Sequence, residues 1–171
     1  MTLQRINISC PPVAFMLENF ELDGERLIVK KRFNRSAKVG KNIVRVNRRG
    51  YRCFVIRGVF MQFHRVVWAM HYGEWPPMMI DHVDRDPLNN NIDNLRLATP
   101  TQNRVNQKIM GGKVAYKGVV LHRCGRFQVY CANRYLGLYK DPVQAAKVYD
   151  AAAIAQYGAY ASVNFPEEQH A

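Results

Sequence analysis

Acidic side chains are absent from a long stretch of this chain. Between Arg26 and Gly73 there is no aspartate or glutamate, while Arg26, Lys30, Lys31, Arg32, Arg35, Lys38, Lys41, Arg45, Arg48, Arg49, Arg52, Arg57 and Arg65 are all basic. Charge of one sign repels itself unless a counter-charge arrives, and a nucleic-acid strand would supply one. Cysteine is also scarce: Cys10, Cys53, Cys124 and Cys131 show no Cys-x-x-Cys spacing. That excludes the usual paired-ligand zinc modules, and the spacing of His122, Cys124 and Cys131 is wrong for one, so no structural zinc is expected. Four thiols in a reducing compartment fit better than a disulfide framework. No apolar run approaches a membrane span and the N-terminus has no signal-peptide pattern, so no membrane partner and a cytoplasmic protein are expected.

What the chain does have is typical of a folded protein. It has 171 residues, 48% hydrophobic and 22% charged, which excludes a disordered chain and allows one medium domain or two small ones. Lysine and arginine number 25 against 13 acids, a net charge of +12, which again points to a polyanion.

Residues 1–60 read as short strands and turns, with β-rich runs at Glu25–Lys30 and Tyr51–Arg57 and turn signals at Asp23-Gly24, Gly50 and Gly58. Phe63–Gly73 has helical length and an apolar stripe, stopped by Gly73 and Pro76-Pro77. A strand over Met78–Val83 follows, then the loop Asp86–Asn91, then an Asn-Leu-Arg strand. Thr99 and Pro100 open a helix that presents Asn103 in its first turns, facing back toward the hairpin. The adjacent glycines of Lys108–Lys113 mark a linker. Beyond it come three strand-like runs, Tyr116–Leu121, Arg126–Cys131 and Arg134–Tyr139, and an alanine-rich helix from Asp141-Pro142 to Gly158. A three-stranded sheet backed by one helix is a compact module.

The chemistry concentrates between Ile80 and Asn103. Cleaving a phosphodiester needs a deprotonated water and something to offset charge on phosphorus and on the leaving oxygen. Asp81 is a hard oxygen ligand suited to Mg²⁺, and Asn103 can add a second oxygen. Imidazole as a side-chain type changes charge near neutrality, which suits His82 to the role of general base. On an extended strand Asp81 and His82 point to opposite faces, so a loop twist there would be needed to bring both into one cleft. Asp81-His82, then Asn94, then Asn103 resembles the HNH nucleases with their ββα-metal site, over roughly residues 20–108, including His64-Arg65-Val66-Val67-Trp68. The resemblance implies metal ligation by Asp81 and Asn103 and catalysis by His82. It also implies that Asn94 ties the loop and orients the imidazole. Asn at 103, where many relatives have His, favours Mg²⁺, with Mn²⁺ as a substitute. His64 reads as a packed residue of the entry helix.

Tyr116-Lys117-Gly118-Val119, Gly125-Arg126-Phe127, Tyr135–Tyr139, Ala145–Ala152 and Val163-Asn164-Phe165-Pro166 form a second resemblance, to the plant APETALA2/ethylene-response-factor DNA-binding domain. It implies a sheet that reads the major groove through Lys117, Arg126 and Tyr135. Side-chain chemistry adds Arg123, Gln128, Tyr130 and Arg134 as contacts. Val120 and Cys124 depart from the plant pattern, so no target sequence carries over.

The fold expected is α+β: a ββα-metal core at about 78–108 within a nuclease domain at 1–108 that has a β-rich N-terminal segment. A linker at 109–113, a three-stranded antiparallel sheet packed on one helix at 114–166 and a tail at 167–171 follow. The function expected is a metal-dependent DNA endonuclease similar to the homing enzymes of phages and mobile introns. Its partner is double-stranded DNA and it acts as a monomer, with a dimer left open. The alternatives are a sequence-specific DNA-binding regulator with a vestigial nuclease core, and a nucleic-acid-packaging protein.

Overall fold

A computed structural model describes residues 10–107 and 114–166. The chain divides into two compact units, Met1–Ala98 and Thr99–Ala171. Among the described residues it is a mixed α/β protein with two two-stranded and two three-stranded sheets. None of its described helices is long and apolar enough to cross a membrane.

The first unit opens with a helix, α1 (Val13–Asn19), where the sequence predicts only strands and turns. Seven residues are too few to display a helical period, and Pro11-Pro12 reads as turn chemistry. Tertiary packing holds α1 instead: Met16 is fully buried and the Asn19 side chain donates to the Phe15 carbonyl. Strands β1 (Phe20–Asp23) and β2 (Arg26–Val29) form a hairpin around the predicted Asp23-Gly24 turn. β3 (Arg45–Val46), β4 (Arg52–Ile56) and β5 (Val59–Gln62) form an antiparallel sheet. Arg57 and Gly58 turn β4 into β5 with φ of 49° and 81°, the left-handed pair a tight hairpin needs.

α2 (Phe63–Tyr72) lies where the apolar stripe predicts it, and Gly73 closes it at φ 78°. Arg65 donates to the carbonyls of Pro76 and Met78, tying the chain after α2 back onto it. β6 (Met79–His82) and β7 (Leu95–Ala98) pair antiparallel, Asp81 opposite Arg96 and His82 opposite Leu95. One core gathers Met16, Phe20, Leu27, Phe54, Phe63, Val66, Ile80 and Leu95.

The second unit begins with α3 (Pro100–Asn106), whose Thr99 cap and Gln102 form a reciprocal capping box. Its sheet has the order β10 (Arg134–Tyr139), β9 (Phe127–Cys131), β8 (Val119–Leu121), all antiparallel, with α4 (Pro142–Tyr157) packed on it. Asp141 caps α4 by accepting from the amides of Val143 and Gln144. Val119, Val129, Cys131, Ala145, Ala146, Tyr149 and Ala153 make a second core.

The sequence predicts a boundary after residue 108; the structure groups α3 with the C-terminal sheet. The reason is visible in Lys117, whose ammonium donates to the carbonyls of Val105 and, at 2.8 Å, Gln107, at the open end of α3. The expected linker at 109–113 and tail at 167–171 lie outside the described residues.

β8 also starts later than the predicted Tyr116. Asn164 occupies the edge that Lys117 would offer a strand, accepting from its amide at 2.6 Å and donating to its carbonyl at 3.2 Å. Asp150, buried on α4, holds Asn164 in turn through its backbone and side-chain amides and also accepts from Phe165.

Candidate functional site

β6 carries Asp81 and His82 side by side, and both are buried. No twist intervenes between them: the ladder continues through His82–Leu95, so strand alternation sends the two side chains to opposite faces. Each face gives its residue a different frame. Asp81 Oδ2 accepts from Arg96 Nε and Nη2, both at 2.8 Å, across the strand pair. The carboxylate is therefore charge-compensated within the unit.

His82 shares its face with Ile80 and meets α2. The His64 ring stands edge-on to the His82 ring at 5.2 Å, and Tyr51 lies 6.1 Å from His64 and 6.4 Å from His82. His64 is packed, as the sequence predicts for the entry helix, but its neighbour is the imidazole of interest. Burial, then the charges of His82 and Arg65, push the His64 pKa down to about 3, so this ring is neutral at physiological pH.

The loop from Val83 to Asn91 is built by asparagines and aspartates. Asn94, in a 3₁₀ turn over Ile92–Asn94, donates to Asp84 Oδ1 at 2.9 Å and to the Asn89 carbonyl at 2.8 Å, and accepts from the Asp84 amide at 3.0 Å. Asn94 thus cross-links the two ends of the loop. Burial would raise the Asp84 carboxyl, but hydrogen bonds from the Asp86 amide, Asn89 and Asn94, together with the nearby His82, outweigh it and lower its pKa. The side chain that reaches the imidazole is Asn90, whose Oδ1 lies 3.2 Å from His82 Nε2. Arg52 reaches the same loop from β4, donating to the Leu88 carbonyl at 3.4 Å while pairing with Glu25.

Sequence reasoning singles out neither Asn90, Tyr51 nor Arg96 as site residues. Asn90 is hidden because one of three consecutive asparagines reads as turn chemistry. Arg96 had a usable signal, since the hairpin register that aligns His82 with Leu95 puts an arginine opposite Asp81. Asn103 is half-buried in α3, in the other unit.

The acid-free stretch is less uniform than its sequence predicts. Acids from outside it neutralise part of it: Asp23 pairs with Arg26, Glu18 with Lys31 and Glu25 with Arg52. Arg57 covers the Phe15 ring at 4.4 Å, and Lys30 donates to the Leu17 carbonyl. Folding brings these partners close, which linear spacing conceals. Arg35, Lys38, Lys41, Arg45, Arg48 and Arg49 remain exposed. The Arg48-Arg49 turn abuts the loop, since a β-carbon at Gly50 would lie 3.9 Å from Pro87.

In the second unit, register puts Val120, Gln128, Tyr130 and Tyr135 on the sheet face away from α4, with the Tyr130 and Tyr135 rings 5.5 Å apart. Arg123 and Arg126 are exposed at the turn between β8 and β9. Two of the predicted DNA contacts are placed elsewhere. Lys117 is turned onto the end of α3, and Arg134 lines a cavity of about 270 Å³ with Cys131, Ala152 and Gln156 on the α4 side.

One family model bears on the end of the first unit and on α3. Residues 61–105, about a quarter of the chain, match a family model described as HNH endonuclease. An uncharacterized HNH endonuclease of Acanthamoeba polyphaga mimivirus is 43% identical over 61 residues, which cover 34% of this chain and 31% of that protein. Protein 3.8 of Escherichia phage T7 is 48% identical over 46 residues, 26% of this chain and 38% of that protein. APETALA2-like protein 2 of Oryza sativa is 40% identical over 60 residues, 32% of this chain but only 14% of the plant protein. The chain thus spans well under half the length of these relatives, and no solved structure matches it significantly. Within residues 61–105 the chain is therefore similar to the HNH endonucleases.

Proposed function

We propose that this protein is a metal-dependent DNA endonuclease of the HNH homing type, brought to duplex DNA by its C-terminal sheet module. The observation that carries the reading is the buried His82 imidazole on β6, inside the matched span and framed by Asn90, His64 and Tyr51, with Asp81 beside it on the other face of the strand. A strand–loop–strand followed in the chain by α3 is the element order of a ββα-metal site.

The donor chemistry fits a hard divalent cation. Asp81 offers carboxylate oxygen and Asn103 an amide oxygen, suited to Mg²⁺ and tolerant of Mn²⁺. Among the described residues no three His, Cys, Asp or Glu side chains gather as a metal-binding group, so water and phosphate oxygens would complete the shell. Such an ion, when bound, offsets the charge that builds on the phosphate and the leaving oxygen. Arg96 keeps the Asp81 carboxylate compensated and in place. His82 takes the proton of the attacking water, and Asn94 holds the loop on which that geometry depends.

Arg48 and Arg49, exposed in the turn whose Gly50 approaches Pro87, suit phosphate contact. Arg123, Arg126, Gln128, Tyr130 and Tyr135 suit groove contacts from the open sheet, in the manner of the APETALA2-like module. One such site per chain suits a monomer.

Nicking of supercoiled plasmid across Mg²⁺ and Mn²⁺ series tests the reading. The unaltered chain should nick only with metal. His82→Ala should lose cleavage by a factor of about 100 or more and keep duplex affinity, because a base acts on the transition state. Asp81→Ala should also stop cleavage, with folding checked because Arg96 loses its partner. Asn103→Asp should retain part of the activity with a changed metal preference. Full activity in His82→Ala would sink the reading, and tight binding without cutting in any metal would leave a DNA-binding regulator.

A further inference from the structure

We infer that Asn90 is the positioning residue that fixes the His82 tautomer, putting the ring proton on Nε2 and the basic lone pair on Nδ1. The inference rests on the nuclease reading only in naming His82 the general base; the contact itself is a matter of geometry. Asn90 is almost wholly buried, 4% exposed, so its amide has no water to satisfy it. Its Nδ2 donates to the Leu88 carbonyl at 3.0 Å and lies 3.4 Å from the Pro87 carbonyl. Reversing the amide would set Oδ1 against two carbonyl oxygens, acceptor against acceptor. The orientation is therefore determined, and Oδ1 faces His82 Nε2 at 3.2 Å.

An amide oxygen only accepts, so Nε2 must donate. In a neutral imidazole the other nitrogen then holds the lone pair, and Nδ1 is the atom that takes a proton from water. When it does, the ring becomes a cation whose Nε2–H still points at an amide dipole, so the contact persists through the step. His64 supports the arrangement from the side. Its ring packs edge-on against His82 and stays neutral, so it presses on the base without adding charge. Asn94 does a separate job: it bonds Asp84 and Asn89 and ties the loop.

The experiment has a spectroscopic arm and a kinetic arm, both on the full chain. In ¹⁵N-labelled protein without metal, the His82 ring, assigned by its loss in His82→Ala, should show a protonated Nε2 and an unprotonated Nδ1 at pH 8. Its Nε2–H should exchange slowly enough with water to be seen. Asn90→Leu keeps the volume and removes the acceptor; its Nε2–H signal should vanish and kcat for plasmid nicking should fall about 10- to 100-fold, with KM for DNA unchanged. Asn90→Gln carries the same amide, acceptor and donors together, and should recover the Nε2–H signal and at least part of kcat. A wild-type ring protonated on Nδ1 would overturn the inference, as would an Asn90→Leu protein with unchanged ring signals and kcat. Should Asn90→Leu fail to fold, the wild-type spectrum decides alone. An unaltered chain that does not cut DNA would overturn the nuclease reading, and the spectra would still judge the Asn90 contact.

Discussion

Burial keeps His64 from taking a proton until the pH is far below its ordinary range, and this has a consequence for stability. Its pKa falls from 6.5 to about 3 on folding, chiefly through burial and then through the charges of His82 and Arg65. Between those values the unfolded chain binds a proton that the folded chain refuses. Stability from this group is thus complete above 6.5 and is lost as pH drops toward 3, with a limiting slope of about 1.4 kcal/mol per pH unit. Between pH 7 and pH 5, above the carboxylate range, His64 alone should cost about 2 kcal/mol. Urea melts of the wild type and of His64→Phe, which keeps a ring beside Tyr51 and His82, should show the acid loss shrinking by that amount. An identical loss in both proteins would mean that His64 is solvated. Asp81 raises the matching question of a buried charge. Losing one partner of a buried ion pair costs about 3–5 kcal/mol, so Arg96→Met should lower the melting temperature as well as disturb Asp81, whereas exposed Lys31→Met should change little.

The three-stranded sheet and α4 meet at Gly118, and the fit there leaves no room. Gly118 has φ +74°, and a β-carbon would fall 1.9 Å from Tyr149 Cδ2 and 2.7 Å from the Tyr130 carbonyl oxygen. Tyr149 is itself buried, which pushes its hydroxyl pKa up, so its ring has little freedom to withdraw. Gly118→Ala combines backbone strain with overpacking and should cost about 3 kcal/mol or more in the melting of this unit. Gly125 is the control: its φ is +79°, but nothing lies within 4 Å of a β-carbon there. Gly125→Ala should cost about 1 kcal/mol, from the backbone alone. Equal losses in the two variants would show that the approach of α4 does not limit the sheet.

Each half of the chain buries its own apolar cluster, one around Phe20, Phe54 and Phe63, the other around Val129 and Tyr149. A fragment from Ala98 to Ala171 should therefore melt cooperatively, and on the proposed function it should also bind duplex DNA without residues 1–97. A folded fragment with no affinity for any duplex would remove its positioning role. For the full chain, the same proposal assigns the electrostatic share of binding to the exposed basic residues Arg35, Lys38, Lys41, Arg45, Arg48 and Arg49. About six phosphate contacts imply a loss of roughly 1000-fold in affinity between 50 and 200 mM salt. A nearly flat salt dependence would mean that these charges face solvent.

Local chemistry was legible wherever one residue type suffices. Gly73 ends α2, Thr99 and Pro100 start α3, Asp141 and Pro142 start α4, and alternation marks β9, because capping and turn preferences act within a few residues. The pairing of a carboxylate with an imidazole in a basic chain was legible for the same reason, as adjacent positions in the sequence. Long-range partners were not. Arg96 over Asp81, His64 against His82 and Lys117 on the end of α3 depend on strand register and helix packing, which bring residues from distant parts of the chain together. So does the helix α1, too short to announce itself and held by the core that buries Met16. Hydrogen bonds and ion pairs act over a few ångströms in space, so residue order names the candidate groups, and folding alone selects the neighbours that orient them.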